Sequence, residues 1–289
     1  MVVDCREYDA ARLGRKLEQA EIRRLQLDLL DALRAFCDQN GLTYYLSGGT
    51  LLGAVRHGGY IPWDDDIDVN MPRPDVDRLI AMTGGRLNDH MEIASPEGPI
   101  EHATPFPRLC DTRYVIRSDT RDGKARYYTN LFIDIFPIEG LPSAPWRMRL
   151  HYLHTRPLIT MRRLAYFEGP LTGRNIPLKL LRYMLRPLAR RMGYKHWNLR
   201  LNAIARKYAY DACDYVGVVT GQVHTTQEYI EKAGYGAPVP VEFEGKRYNG
   251  PADADKYLTN LYGDYMKLPP ADRQIAHLFD VWEIQEDRK

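Results

Sequence analysis

The sequence predicts an α/β (α+β) protein: a mixed β-sheet flanked by helices and carrying a basic helical insertion. Three observations carry that prediction. Segments with apolar residues at helical spacing, such as 20–39, are interleaved with short runs of period two or of continuous apolar character, such as 66–69 and 130–136. The order strand, helix, then several strands fits a mixed sheet. Between Pro145 and Lys207 the composition shifts to a heavy excess of Arg and Lys, with Glu168 as the sole acid.

Taken in order, Ala20 to Gln39 places Leu25, Leu29, Leu33 and Phe36 on one helical face and stops at Asn40-Gly41, a C-terminal cap. Leu42 to Leu46 reads as a strand, Ser47-Gly48-Gly49 as a tight turn, and Thr50 to His57 as the helix that turn opens. An acidic strand follows, with Asp66 and Asp68 on one face and Ile67 and Val69 on the other, ended by Pro72-Arg73-Pro74. Asp75 to Met82 is a further helix, and strands are expected at 91–94, 108–116 and 130–136. In the basic segment, Lys179, Arg182, Arg186 and Arg190 share one helical face opposite Leu181, Leu185, Leu188 and Met192, with a kink expected at Pro187. A hairpin spans Val239 to Tyr248 across Glu244-Gly245-Lys246, and a last helix runs from Ala252 to Tyr262, ended by Gly263. The parts divide as 1–144 for a catalytic core, 145–210 for the insertion, and 211–289 for a segment completing the core and the donor pocket.

Composition bounds the function. A chain of 289 residues buries a full core, and a net charge of +2 gives no global field for nucleic acid, nor does any reader motif occur. The four cysteines are scattered, without Cys-x-x-Cys or close His spacing, which excludes a zinc or disulfide framework and fits a reducing compartment. The first residues have no apolar signal region and no run of 18 apolar residues occurs, so a cytoplasmic protein is expected.

The chemistry concentrates in Leu46 to Val69. Two carboxylates about 7 Å apart on a strand can grip hard cations. Phosphoanhydride chemistry needs such cations, because charged oxygens repel the nucleophile and the leaving group must be held in line. Backbone N–H groups of Ser47, Gly48 and Gly49 can cradle phosphate, yet the lysine and spacing of a P-loop are absent. Asp134, alone among apolar residues on a core strand, is costly to bury without metal or hydrogen-bond partners.

A Gly-Gly turn, Asp-x-Asp on the next strand and a distant apolar-Asp-apolar strand resemble the nucleotidyltransferase fold superfamily. The chain resembles the LicD family of phosphotransferases more closely, through Gly49-Thr-Leu-Leu-Gly-Ala-Val-Arg-His57, Ile61-Pro-Trp-Asp-Asp-Asp-Ile-Asp68, Ile133-Asp-Ile-Phe-Pro137 and Leu261-Tyr-Gly-Asp-Tyr-Met-Lys-Leu-Pro-Pro270. The resemblance implies transfer of a substituted phosphate, typically phosphocholine from CDP-choline, onto a sugar hydroxyl of a cell-surface glycan or teichoic acid precursor, with release of CMP. It implies Asp66, Asp68 and Asp134 as catalytic ligands of two Mg²⁺ (or Mn²⁺) ions, Asp134 serving either the second metal or as the base. Ser47, Gly48, Gly49 and Thr50 would bind the donor phosphates. Asp64 and Asp65 stay open between orienting the ligands and loop.

Arg56 could clamp phosphate bidentately and His57 could bond it, or Arg56 could pair with the clustered aspartates. Arg108 is a further phosphate candidate against a plain solvated strand residue. Of the 20 tyrosines, several lie near the motifs and could face a trimethylammonium group or simply pack. The basic insertion could lie on an anionic membrane surface presenting a lipid-linked glycan acceptor, peripheral on the inner face, or pack its apolar side on the core. Alternatives of other kinds are a nucleotidyltransferase that moves the nucleoside monophosphate itself, and a silent glycan- or membrane-binding scaffold.

Overall fold

The computed structural model describes residues 4–5, 8–9, 12–119, 126–167, 175–221, 225–270, 272, 274 and 280–285. Glu168 and the side chain of Tyr127 lie outside them. Strands β1 (Asp4–Cys5) and β2 (Leu13–Lys16) precede helix α1 (Gln19–Asn40). Leu25, Leu29 and Leu33 are buried on one face of α1, Glu18 and Glu21 close a capping box at its start, and Gly41 (φ 60°) caps its end. The strand expected from Leu42 shortens to β3 (Tyr45–Leu46), because the Leu42 N–H goes to Cys37 O and the Thr43 N–H to the Asp75 carboxylate.

The expected Ser47–Gly49 turn is instead the first turn of α2 (Gly48–His57), with Ser47 at the N-cap position. Next come β4 (Asp68–Pro72), α3 (Arg73–Thr83) with Pro74 in its first turn, β5 (Met91–Ala94), β6 (Arg108–Asp119) and β7 (Arg126–Leu141). The acidic strand therefore begins at Asp68 rather than Asp66, while β6 and β7 outrun their expected ends. The insertion is α4 (Pro145–Tyr166) and α5 (Ile176–Ala205). After it come β8 (Tyr215–Val218), a 3₁₀ turn (Thr225–Glu228), β9 (Ile230–Glu231), the single turn α6 (Lys232–Tyr235), β10 (Val239–Phe243), β11 (Lys246–Gly250), α7 (Ala254–Tyr262) and β12 (Asp280–Ile284). The β10–β11 turn uses Glu244 (φ 52°) and Gly245 (φ 73°), one residue fewer than expected.

One sheet organises the molecule, in the order β2-β12-β6-β7-β4-β3, with β5 on β6, β1 and β8 on β7, and β9 on β8. Among the described residues its pairs are antiparallel except β4 with β7. α1 packs on β6 and β7, and Leu29, Leu33, Ile133 and Ile135 are fully buried in the same cluster.

The insertion leaves the sheet at the end of β7 and returns at β8, where Leu141 pairs with Tyr215. Met161 and Leu164 of α4 pack on Ala189 and Trp197 of α5. At its base, Asn198 and Asn202 donate to the carbonyls of Ala103, Thr104 and Pro105. The buried Arg73 guanidinium binds Glu139 of β7 and Asn202 of α5. Pro187 sits inside α5 without breaking it. The break falls at Gly193 (φ 74°, ψ 156°), where the absence of a Cβ permits a conformation that strains other residues. Among the described residues no helix is long and apolar enough to cross a membrane.

Candidate active site

Strand register assembles the centre of the site. Parallel pairing of β4 with β7 sets Asp68 opposite Asp134, and antiparallel β6 sets Arg108 opposite the same Asp134. A slip of one residue in either ladder would turn one partner to the other face. Arg108 donates from Nε to Asp134 Oδ1 at 2.5 Å and from Nη2 to Oδ2 at 3.3 Å, and its guanidinium lies 3.6 Å from the Phe132 ring centre. Arg108, which the sequence offers as a phosphate candidate or a solvated strand residue, here holds the third carboxylate.

The predicted alternation continues upstream of the ladder. Ile67 and Val69 are fully buried, whereas Asp66 and Asp68 are half-buried on the opposite side. α1 anchors the irregular 64–66 stretch, since Gln26 donates to Asp65 O at 2.8 Å and Arg23 to Asp64 O at 3.1 Å. Side-chain oxygens of Asp64, Asp65 and Asp66 lie within 4.8 Å of one another. The tightest carboxylate cluster therefore includes the two residues left open by the sequence, with Asp68 and Asp134 beside it.

The start of α2 closes on this cluster. Ser47 donates its N–H to Asp68 O at 3.1 Å, and Asp68 donates its N–H to Thr50 Oγ1 at 2.8 Å, so Thr50 ties α2 to β4. Gly48 adopts φ 50°, and a Cβ there would lie 3.4 Å from Asp68 Oδ2; at Gly49 it would meet Asp64 Oδ2 at 2.4 Å. The two glycines let carboxylates approach a helix N-terminus, whose unpaired N–H groups favour negative charge.

These charges are under-compensated. Burial first, then Asp64, Asp134 and Asp65, push the Asp66 carboxyl up to about 8. Burial and then Asp66, Asp134 and Asp64 hold Asp68 well above the usual range, against the opposing pull of Arg108. Asp134 is raised by burial despite Arg108. Clustered carboxylates with this residual repulsion and an all-oxygen donor set fit a hard divalent cation.

A small pocket opens beside Asp68, walled by Gly48, Asn70, Phe136, Glu228, Tyr257 and Tyr262. Asn70 donates to the hydroxyls of Tyr235 (2.9 Å) and Tyr257 (3.2 Å), and the Gly48 N–H also reaches Tyr257 at 3.4 Å. Burial, then Asp68, Asp64, Glu228 and Asp66, raise the Tyr262 hydroxyl. Sequence reasoning missed Asn70, Phe136, Glu228 and Tyr257 as site residues. Asn70 and Phe136 were legible as the next same-face positions after Asp68 and Asp134; Glu228 and Tyr257 carry no local signal.

Arg56 and His57 are not brought to the carboxylates. They lie in the last turn of α2, roughly 12 Å along the axis from Gly48. Arg56 donates to Tyr265 O at 2.6 Å, and His57 stands edge-on to Trp63 at 6.3 Å.

Register-aligned carboxylates, a glycine-opened helix start and an adjoining pocket make up the candidate site. The nucleotidyltransferase-domain pattern of LicD/FKTN/FKRP matches residues 41–140. Over 265 residues the chain is 30% identical to the lipopolysaccharide cholinephosphotransferase LicD of Haemophilus influenzae, covering 91% of this chain and 97% of that protein. Over 44 residues it is 48% identical to the human ribitol 5-phosphate transferase FKRP, covering 15% of this chain and 9% of that one. An uncharacterized protein of Rickettsia typhi is 35% identical over 68 residues, 20% of this chain and 22% of its own. The chain belongs to the LicD family.

Proposed function

We propose that the protein transfers a substituted phosphate from a CDP-alcohol, with CDP-choline as the leading donor, onto a sugar hydroxyl of a cell-surface glycan or teichoic acid precursor, releasing CMP. The observation that carries this reading is the alignment of Asp68 with Asp134 next to Gly48 and the pocket. Asp66, Asp68 and Asp134 would hold Mg²⁺ or Mn²⁺, with Asp64 and Asp65 adjoining, and the metal would neutralise the diphosphate and the departing CMP. Arg108 grips both oxygens of Asp134 and fixes its orientation, which favours ligation over proton transfer as its role. The N-terminus of α2 adds its partial positive charge on the phosphate side. Phe136, Tyr257 and Tyr262 with the buried Glu228 supply the aromatic faces and the carboxylate that a trimethylammonium group prefers. The name of the Haemophilus relative supports choline, and that of human FKRP supports the wider class of alditol phosphates.

The test is CMP release from CDP-choline and CDP-ribitol with a glycan acceptor, with and without Mg²⁺. Metal-dependent CMP release is expected from the wild type, and at least a hundredfold less, about 2.7 kcal/mol, from Asp68→Asn. Nucleotide attached covalently to the acceptor would replace this reading with nucleotidyl transfer, and full activity in Asp68→Asn would end the proposed site.

A further inference from the structure

The first half of α5 turns its apolar side to solvent. Ile176 is 69% exposed, Leu180 59% and Met184 79%, and Leu181, Leu188 and Met192 are exposed beside them. At 100° per residue these six occupy one arc of the helix. Lys179, Arg182, Arg186 and Arg190 occupy the flank next to it, while Ala189 packs against α4. This corrects the reading in which the apolar side packs on the core.

An apolar arc this wide needs a cover, and charge selects it. No described residue from 145 to 207 is acidic. A second copy of the hairpin would bring like charges together, whereas an anionic lipid surface accepts the apolar side chains among its acyl chains and the flanking cations at its headgroups. We propose that the outer half of the α4–α5 hairpin docks the protein on an anionic bilayer, lying in the interface without spanning it. Its base holds the 103–105 carbonyls through Asn198 and Asn202, and Phe106 in the adjoining loop touches the pocket wall Phe136 at 4.5 Å between ring centres. The inference goes beyond the proposed transfer and needs no donor.

The experiment is flotation with vesicles of phosphatidylcholine alone or mixed with phosphatidylglycerol, using the full chain at about 0.15 M salt. Flotation is expected only with the anionic vesicles. Leu180→Asp/Met184→Asp should abolish it with an unchanged circular dichroism spectrum, and Lys179→Ala and Arg190→Ala should each weaken partitioning about fivefold. Absence of wild-type flotation, equal flotation with neutral vesicles, or unchanged binding in the variants would overturn the proposal. A dimer dispersed by Leu180→Asp/Met184→Asp, with no vesicle binding, would overturn it in favour of self-association.

Discussion

Gly49 and Gly53 lie one helical turn apart in α2, and each is crowded, yet they are crowded by different things. At Gly49 an added Cβ would meet the carboxylate end of Asp64 at 2.4 Å; at Gly53 it would meet the Gly59 carbonyl oxygen at 2.4 Å. A side-chain end can swing away, but that backbone cannot. Gly49→Ala should therefore leave urea stability nearly unchanged while displacing Asp64 and lowering kcat/KM about tenfold, ~1.4 kcal/mol. Gly53→Ala should cost about 1–3 kcal/mol of stability with activity per folded molecule retained. If the two behaved alike in denaturation and assay, the glycines would serve packing alone. A glycine pair was visible in the sequence, but its partner was not. It reads there as a cradle for a ligand's phosphate, whereas the folded chain first uses it to admit its own aspartates.

Between elements, Arg73 carries a larger share than its place in a short Pro-Arg-Pro stretch indicates. It joins the start of α3 to Glu139 on β7 and Asn202 on α5, with both charged side chains buried. Arg73→Leu would strand Glu139 in the interior and should lower stability by about 3–5 kcal/mol in urea denaturation. Arg73→Leu/Glu139→Leu should recover most of that loss, and an undiminished deficit in the double variant would show that the contact with Asn202 dominates. Elements set by local pattern were legible: α1 from its 3.6-residue period, β5 residue for residue, the β10–β11 hairpin from Glu-Gly, and α7 from Gly263. Those set by distant partners were not. β4 starts late because Asp64 and Asp65 are held by α1 instead of a neighbouring strand, and Glu228 reaches the pocket through the pairing of β8 with β7. The three carboxylates of the site were legible as residues because buried acids are conspicuous, while their alignment needed the ladder.

At the scale of the whole molecule, buried titratable groups should make the stability of the metal-free protein depend on pH. Asp66 holds its proton up to about 8, above its ordinary value, so the folded chain binds more protons than the unfolded one in that window, and stability falls as pH rises toward 8. His151 is opposite in sign: burial, then Lys207 and His154, lower it to about 4, and its Nε2 is buried without a hydrogen bond. Its stabilising contribution is complete above about 6.5 and is lost as pH falls through 4. Thermal melts should therefore stay near level from about pH 4 to 6.5, where the two slopes oppose each other, and fall from about 6.5 to 8, where that of Asp66 stands alone. Added Mg²⁺ should flatten the alkaline side alone by replacing protons at the carboxylates, and an unaltered alkaline slope would count against cation binding there. Finally, the meeting of Leu141 with Tyr215 means that the chain departs from the sheet and rejoins it at adjacent backbone positions. Asp134 lies seven residues upstream of Leu141 on the same strand. The outer hairpin and the carboxylates can therefore be altered by separate mutations.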